Sequence, residues 1–357
     1  MTTRRQLLQS TSALALAAIL PRCASVAEQK PPLQPVAFAD IPRSDYGFAT
    51  TADEVVAGMD LSGKTVLLTG CNSGLGYESL RTLAGRGAHV IGTARTMEKA
   101  EQACVSVGGK TTPLVCELTD MSSVVACADA ANDLNTPIDI LICNAGIMAL
   151  PKLEQVEIKA GGQTIKLEKQ FVVNHLGHYL LTRRLLSQVE AAPAGRIVMV
   201  SSMGYTLAPD GGIQFDNLSG DSCTEGKCYQ PFKNYGQTKL ANILFSNELN
   251  RRYFDKGITS NAIHPGLVDT NLGRYMRGDK EGTSKKPDRP LRKGMKTADQ
   301  GAATQVYVAT NPSLANVSGY YFGDCNPEEL KGPYATDQVL AEQLWDVSAE
   351  LVQDYGV

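Results

Sequence analysis

A doubly wound α/β domain, a parallel sheet flanked by helices, is the fold class this sequence predicts. Three observations predict it. Short apolar runs that read as buried strands recur along the chain, separated by stretches of helical spacing. The first run ends in a glycine turn, Thr69-Gly70-Cys71-Asn72-Ser73-Gly74-Leu75-Gly76, that opens a helix. Later, Tyr235-Gly236-Gln237-Thr238-Lys239 sets a tyrosine and a lysine one helical turn apart.

The elements follow in order. Lys64-Thr65-Val66-Leu67-Leu68-Thr69 is the first strand, and 77–86 has helical spacing with Leu80, Leu83 and Ala84 on one face. Strand, glycine turn and helix together make a phosphate site, because the glycines let the backbone approach a pyrophosphate at the helix N-terminus. The second strand, 88–94, ends at Arg95, where an enzyme using NAD usually carries an acid for the ribose 2′-hydroxyl. A guanidinium suits a 2′-phosphate and favours NADP; the competing reading pairs Arg95 with Glu98. Further strands are expected at 112–117, 138–143, 196–202 and 261–263. A helix carries Phe171-Val172-Val173-Asn174-His175-Leu176-Gly177-His178. Strands alternating with helices imply right-handed βαβ units, whose ligands lie beyond the carboxyl ends of the strands. Gly70, Arg95, Asn144, Ser202 and Pro265 fall at those ends and are expected to line one cleft.

The bulk numbers agree. The chain has 357 residues, 43% hydrophobic and 20% charged, which is ordinary for a globular protein. A net charge of −3 argues against a general nucleic-acid partner. The cysteines show no zinc spacing, and no metal is expected. Cys223 and Cys228 flank a polar loop: they pair in an oxidising compartment or remain free thiols.

Residues 1–27 read as an export signal. Arg4-Arg5 opens the chain, 13–20 is apolar, and Ser25-Val26-Ala27 offers a small-residue cleavage site. The paired arginines resemble a twin-arginine signal, which predicts export of a folded protein to the periplasm or an equivalent compartment. The alternative is a cytoplasmic or membrane-associated protein with an uncleaved start. Residues 28–60 are proline-rich without clear periodicity and read as an extended linker and lead-in. The catalytic domain is assigned to 61–352 and a tail to 353–357.

Over 61–352 the sequence resembles the short-chain dehydrogenase/reductases, which are single Rossmann-fold domains. The glycine turn, Asn144-Ala145-Gly146, the strand-end Ser202, Tyr235 and Lys239, and Pro265-Gly266 occur in family order. Within the family, Asn174-His175-Leu176-Gly177-His178-Tyr179, Lys239-Leu240-Ala241-Asn242 and Ser318-Gly319-Tyr320-Tyr321-Phe322-Gly323-Asp324-Cys325 are most similar to the retinol dehydrogenase-like branch. Two positions depart from the pattern. Cys143 stands where a second asparagine is usual, and Glu117 stands for the usual aspartate after the third strand.

The resemblance implies an oxidoreductase that interconverts a carbonyl, here a lipophilic aldehyde or ketone, and its alcohol with NADP(H). Its catalytic set is Asn174, Ser202, Tyr235 and Lys239. Tyr235 exchanges the proton, Lys239 and the oxidised nicotinamide lower its pKa, Ser202 steadies the substrate oxygen, and Asn174 holds a water that links Lys239 to solvent. The implied cofactor contacts are Gly70, Asn72, Ser73, Gly74, Leu75, Gly76, Arg95, Glu117, Leu118, Asn144, Ala145, Gly146, Tyr235, Lys239, Pro265, Gly266, Val268 and Thr270. The histidines His175, His178 and His264 are expected to pack or hydrogen-bond. Segments 203–234 and 267–295 are expected to shape the substrate pocket. The basic stretch 277–296 attracts an anionic substrate or a membrane surface, or is a solvated insertion. The expected partner is a small molecule; membrane contact and a homo-oligomer are left open. Rival readings are a light-dependent protochlorophyllide reductase-like enzyme and a non-catalytic dinucleotide sensor. The first expects a cysteine that Leu240-Ala241-Asn242-Ile243-Leu244 lacks.

Overall fold

A computed structural model describes residues 33–222, 229–275 and 291–357. The export signal, Cys223, Cys228 and most of the basic stretch lie outside the described residues. The strands are β1 (Thr65–Thr69), β2 (His89–Ala94), β3 (Thr111–Val115), β4 (Ile140–Cys143), β5 (Gln155–Ala160), β6 (Gln163–Glu168), β7 (Gly195–Val200), β8 (Ile258–Ile263), β9 (Tyr321–Gly323) and β10 (Asn326–Glu328). Eight of them form one sheet in the order β10-β9-β8-β7-β4-β1-β2-β3. Every pairing in it is parallel except β9 with β10. The order reverses between β1 and β4, the switch point where doubly wound sheets bind their ligands.

The helices are α1 (Ala52–Val55), α2 (Gly74–Gly85), α3 (Met97–Val107), α4 (Met121–Asn132), α5 (Lys169–Phe171), α6 (Gly177–Ala191), α7 (Pro231–Tyr253), α8 (Ala298–Thr310) and α9 (Gln338–Leu351). The period of two along the strands sorts the core between the two faces. Val66, Leu68, Ile140 and Ile142 face the layer of α1, α2, α3 and α8. Leu67, Leu141 and Cys143 face α4, α6, α7 and α9. Cys143 is buried in that second layer, its Sγ 3.6 Å from the Thr182 hydroxyl, so the departure from asparagine is a core substitution. Each fully buried leucine there contributes about 1.5–3 kcal/mol.

The described part of 28–60 is not an extended linker. Thr51 and Glu54 form a capping box that starts α1, and the Ala52 amide donates to Asp299 at 3.1 Å. Ile41, Ala52, Val55 and Val56 are buried in the α2–α8 layer. Ser44 and Tyr46 hydrogen-bond Asn326 on β10. The segment lacks periodicity because it crosses several elements in turn, with single side chains as anchors. The tail is held as well: Arg184 donates to the Tyr355 carbonyl at 2.6 Å. The hairpin β5–β6 was not foreseen. Its alternation and its turn at Gly161 and Gly162, both with positive φ, are an ordinary hairpin signal.

Candidate active site

A cleft of about 930 Å³ opens at the carboxyl ends of the strands. Every residue expected to contact the cofactor lines it, as do Ser202, Tyr235 and Lys239. Asn174 does not line it; it is fully buried behind the wall.

The phosphate turn is shaped by two glycines. Gly70 has φ +72°, the left-handed region that glycine adopts without strain. At Gly76 a Cβ would lie within 3 Å of the Gly70 carbonyl and of the Asn144 amide, so the turn closes only without a side chain there. The cleft reaches Ser73, Gly74, Leu75 and Gly76, the first turn of the 12-residue α2. Its free amides and dipole favour an anion. Gly76→Ala forces backbone apart and should cost about 1–3 kcal/mol. For a chain of this size that is a fall in melting temperature of several degrees, read by thermal denaturation.

Thr69 supports the opposite wall. Its Oγ1 accepts from the amides of Asn144 (2.9 Å) and Ala145 (3.0 Å). His178 Nδ1 lies 3.1 Å from the Asn174 carbonyl, which only an N–H can satisfy. Nε2 is therefore the acceptor, and the Thr69 hydroxyl, 2.9 Å away, donates to it. Burial lowers the His178 pKa to about 4, so the ring stays neutral. His178 thus ties the Asn174 turn to the Asn144-Ala145 wall, a structural task consistent with its expected hydrogen-bonding role.

Asn174 sits in a π-helical turn, Val172–Leu176, between α5 and α6. Such turns recur at functional sites. Its Oδ1 accepts from the Ile147 amide (2.8 Å), and its Nδ2 donates to the Ile147 carbonyl and to Thr238, both at 2.9 Å. The side chain therefore fixes the backbone just beyond Gly146 and the helix that carries Tyr235.

Tyr235 and Lys239 are 4% and 3% exposed on α7. The Ser202 hydroxyl bonds to Tyr235, and Ser202 Oγ also accepts from the Gly204 amide at 3.0 Å. The neighbouring Ser201 instead donates to the Lys239 carbonyl at 2.7 Å, which leaves Ser202 as the serine at the phenol. Lys239 Nζ donates to the Val200 carbonyl at 2.9 Å and lies 5.7 Å from the Tyr235 ring centre. Burial pushes Tyr235 up to about 12, opposed by the Ser202 bond, and pushes Lys239 down to about 8. The sequence leads to the expectation that Lys239 and the oxidised nicotinamide together lower the tyrosine. Without the dinucleotide, burial is the leading influence on both groups.

Arg95 is exposed at the end of β2, on the cleft wall, and forms no ion pair with Glu98. Glu117 turns its carboxylate back onto the Thr119 amide (3.0 Å) and hydroxyl (2.8 Å). The other wall is apolar. Met148, Leu150 and Val173 join Met203, Leu207, Phe232 and Leu267. The last four are 45%, 48%, 47% and 62% exposed and rim the opening. The run Ile147-Met148-Ala149-Leu150 after Asn-Ala-Gly was the available signal.

Comparison with known proteins agrees with this geometry. The family model described as short chain dehydrogenase matches residues 64–212. "Short-chain dehydrogenase TIC 32 A, chloroplastic" of Brassica napus is 38% identical over 323 residues, 87% of this chain and 95% of that protein. The chain belongs to the short-chain dehydrogenase family. Human "Retinol dehydrogenase 14" is 38% identical over 312 residues, covering 82% of this chain and 87% of that protein. A solved structure of an uncharacterized protein from Mycobacterium Paratuberculosis aligns with a TM-score of 0.63 and 31% identity, over 85% of this chain and 98% of that one. Members of the family are oxidoreductases that bind a nicotinamide dinucleotide, and the glycine turn, the open first turn of α2 and the Asn144-Ala145-Gly146 wall fit that group. Among the described residues no cluster of three or more His, Cys, Asp or Glu is arranged to hold a metal.

Proposed function

We propose that this dehydrogenase interconverts a lipophilic aldehyde or ketone and its alcohol, with NADP(H) as hydride carrier and Tyr235 as the acid and base. The observation that carries the reading is the buried Tyr235 bonded to the half-buried Ser202, one turn from Lys239, in the same cleft as the phosphate turn. The dinucleotide supplies the hydride. In reduction the Tyr235 hydroxyl gives its proton to the carbonyl oxygen, and the Ser202 hydroxyl stabilises charge growing there. The Lys239 ammonium then favours the phenolate left behind. Asn174 acts through the backbone it fixes, and a water held near the Ile147 carbonyl would lead protons to Lys239.

Arg95 supports the choice of NADP(H), since it is exposed on the cleft wall and pairs with no carboxylate among the described residues. The apolar rim supports a substrate with a hydrocarbon body. The twin-arginine-like start supports export with the cofactor already bound, which fractionation of the native host would test. Among the described residues no helix is long and apolar enough to cross a membrane.

The deciding experiment is NADPH oxidation across aldehydes and ketones of graded chain length. Turnover is expected, with kcat/KM rising as the chain lengthens. A protein that binds NADPH but oxidises it with no member of the panel would instead be a sensor.

A further inference from the structure

Lys296 stands at the end of the basic stretch 277–296, yet it does not behave as a solvated lysine. Its side chain is 1% exposed, and its ammonium pairs with Asp324. The aliphatic stem runs beneath Gly266, where a Cβ would meet Lys296 Cε at 3.3 Å. Gly266 has φ +82°, so the chain there both turns left-handed and leaves room for the stem. The backbone of Lys296 is engaged too: its amide donates to the Leu267 carbonyl at 2.7 Å, and its carbonyl accepts from the Asp269 amide at 3.0 Å. The Phe48 ring covers the ammonium, its centre 5.2 Å away.

The partner sits in a tight turn. Asp324 and Cys325, with φ of 47° and 59°, form the two-residue turn between β9 and β10. Such turns favour Asn-Gly, Asp-Gly or Gly-Gly, so Asp324 suits the first position and Cys325 is the unusual residue in the second. The turn therefore places the Asp324 carboxylate against the ammonium without unusual backbone at that residue. A glycine at 324 would keep the turn but supply no carboxylate.

The clamped segment, 265–270, leaves β8 beside Ser201, whose amide donates to the Ile263 carbonyl. It ends at Thr270, whose Cγ2 would lie 3.3 Å from a Cβ on Gly74 in the phosphate turn. It therefore spans the cleft from the Tyr235 end to the phosphates. We propose that Lys296, gripped by Asp324, is a positioning residue that clamps this segment over the nicotinamide half of the bound dinucleotide. The inference rests on the NADP(H) reading above. A clamp of this kind acts on NADPH but not on the adenosine half alone.

The test is a binding comparison. NADPH affinity is followed by nicotinamide fluorescence, and that of 2′,5′-ADP, the adenosine half, by calorimetry. The variant Lys296→Met with Asp324→Gly leaves no buried charge and keeps the turn, so its melting temperature should stay close to that of the parent protein. NADPH should bind about tenfold more weakly, with 2′,5′-ADP unchanged. Lys296→Arg keeps the ion pair and should bind NADPH within about twofold of the parent. Unchanged NADPH affinity in the double variant, or equal loss of both ligands, would overturn the clamp. So would a loss in Lys296→Arg as large as the expected tenfold, a measurement that stands even if the double variant does not fold. A parent protein that binds neither ligand would sink the NADP(H) reading itself, a result distinct from failure of the clamp.

Discussion

Tyr235→Phe is expected to lower kcat for carbonyl reduction about 10²–10⁴-fold, the usual contribution of a positioned general acid. NADPH affinity should stay within about threefold, because the cofactor grips the phosphate turn whatever the ring at 235 carries. Stability should change little. The phenol is buried and its hydroxyl bonds to Ser202, so the exchange removes a hydroxyl without opening a cavity. Steady-state kinetics, nicotinamide fluorescence and thermal melting separate these three outcomes. Turnover retained within tenfold would remove Tyr235 from the chemistry.

The pH profile adds a sign. Tyr235, pushed up to about 12, keeps its proton throughout the working range. Lys239, pushed down to about 8, is an ammonium below that pH and neutral above it. Reduction draws on the ammonium to favour the phenolate, so its rate should be level below pH 8 and fall as pH rises through that value. Lys239→Met should be slow at every pH and show no such limb. A limb that survives in Lys239→Met belongs to another group.

How much of this was legible in the sequence differs between elements for physical reasons. Strands β1, β2 and β4 are buried on both faces and read as continuous apolar runs. Their ends were therefore found to within a residue or two, and with them the cleft residues that follow each strand. Ser202 was distinguishable from Ser201 only through family order. The structure gives the cause, since Ser201 is committed to the Lys239 carbonyl. The lead-in at 28–60 reads as linker because the anchors of its described part, Ile41, Val55 and the Ala52–Asp299 bond, depend on partners far along the chain. Lys296 was hidden for the opposite reason. It sits among exposed-looking charges, and only the turn at Asp324 shows that it is buried. Likewise the pKa of Tyr235 follows from enclosure, which no local pattern records.

Arg95→Asp should reverse the cofactor preference. Losing a two-bonded guanidinium–phosphate contact costs about 1.5–3 kcal/mol. Placing a carboxylate beside the 2′-phosphate adds about 1 kcal/mol of repulsion in a solvent-exposed setting. Together these predict that NADPH binding weakens roughly 10²–10³-fold. NADH binding should hold or tighten, because an acid at the end of the second strand is the group that accepts from the ribose 2′-hydroxyl. Among the described residues of the cleft wall Glu117 is the carboxylate, and it is already bonded to Thr119. Raising the salt should narrow the NADPH difference between parent and variant, since the contact is exposed and screened. Fluorescence titrations with both dinucleotides at two ionic strengths read all of this. An equal loss of NADPH and NADH would mean that Arg95 holds the backbone of the β2–α3 connection and leaves the 2′-phosphate untouched.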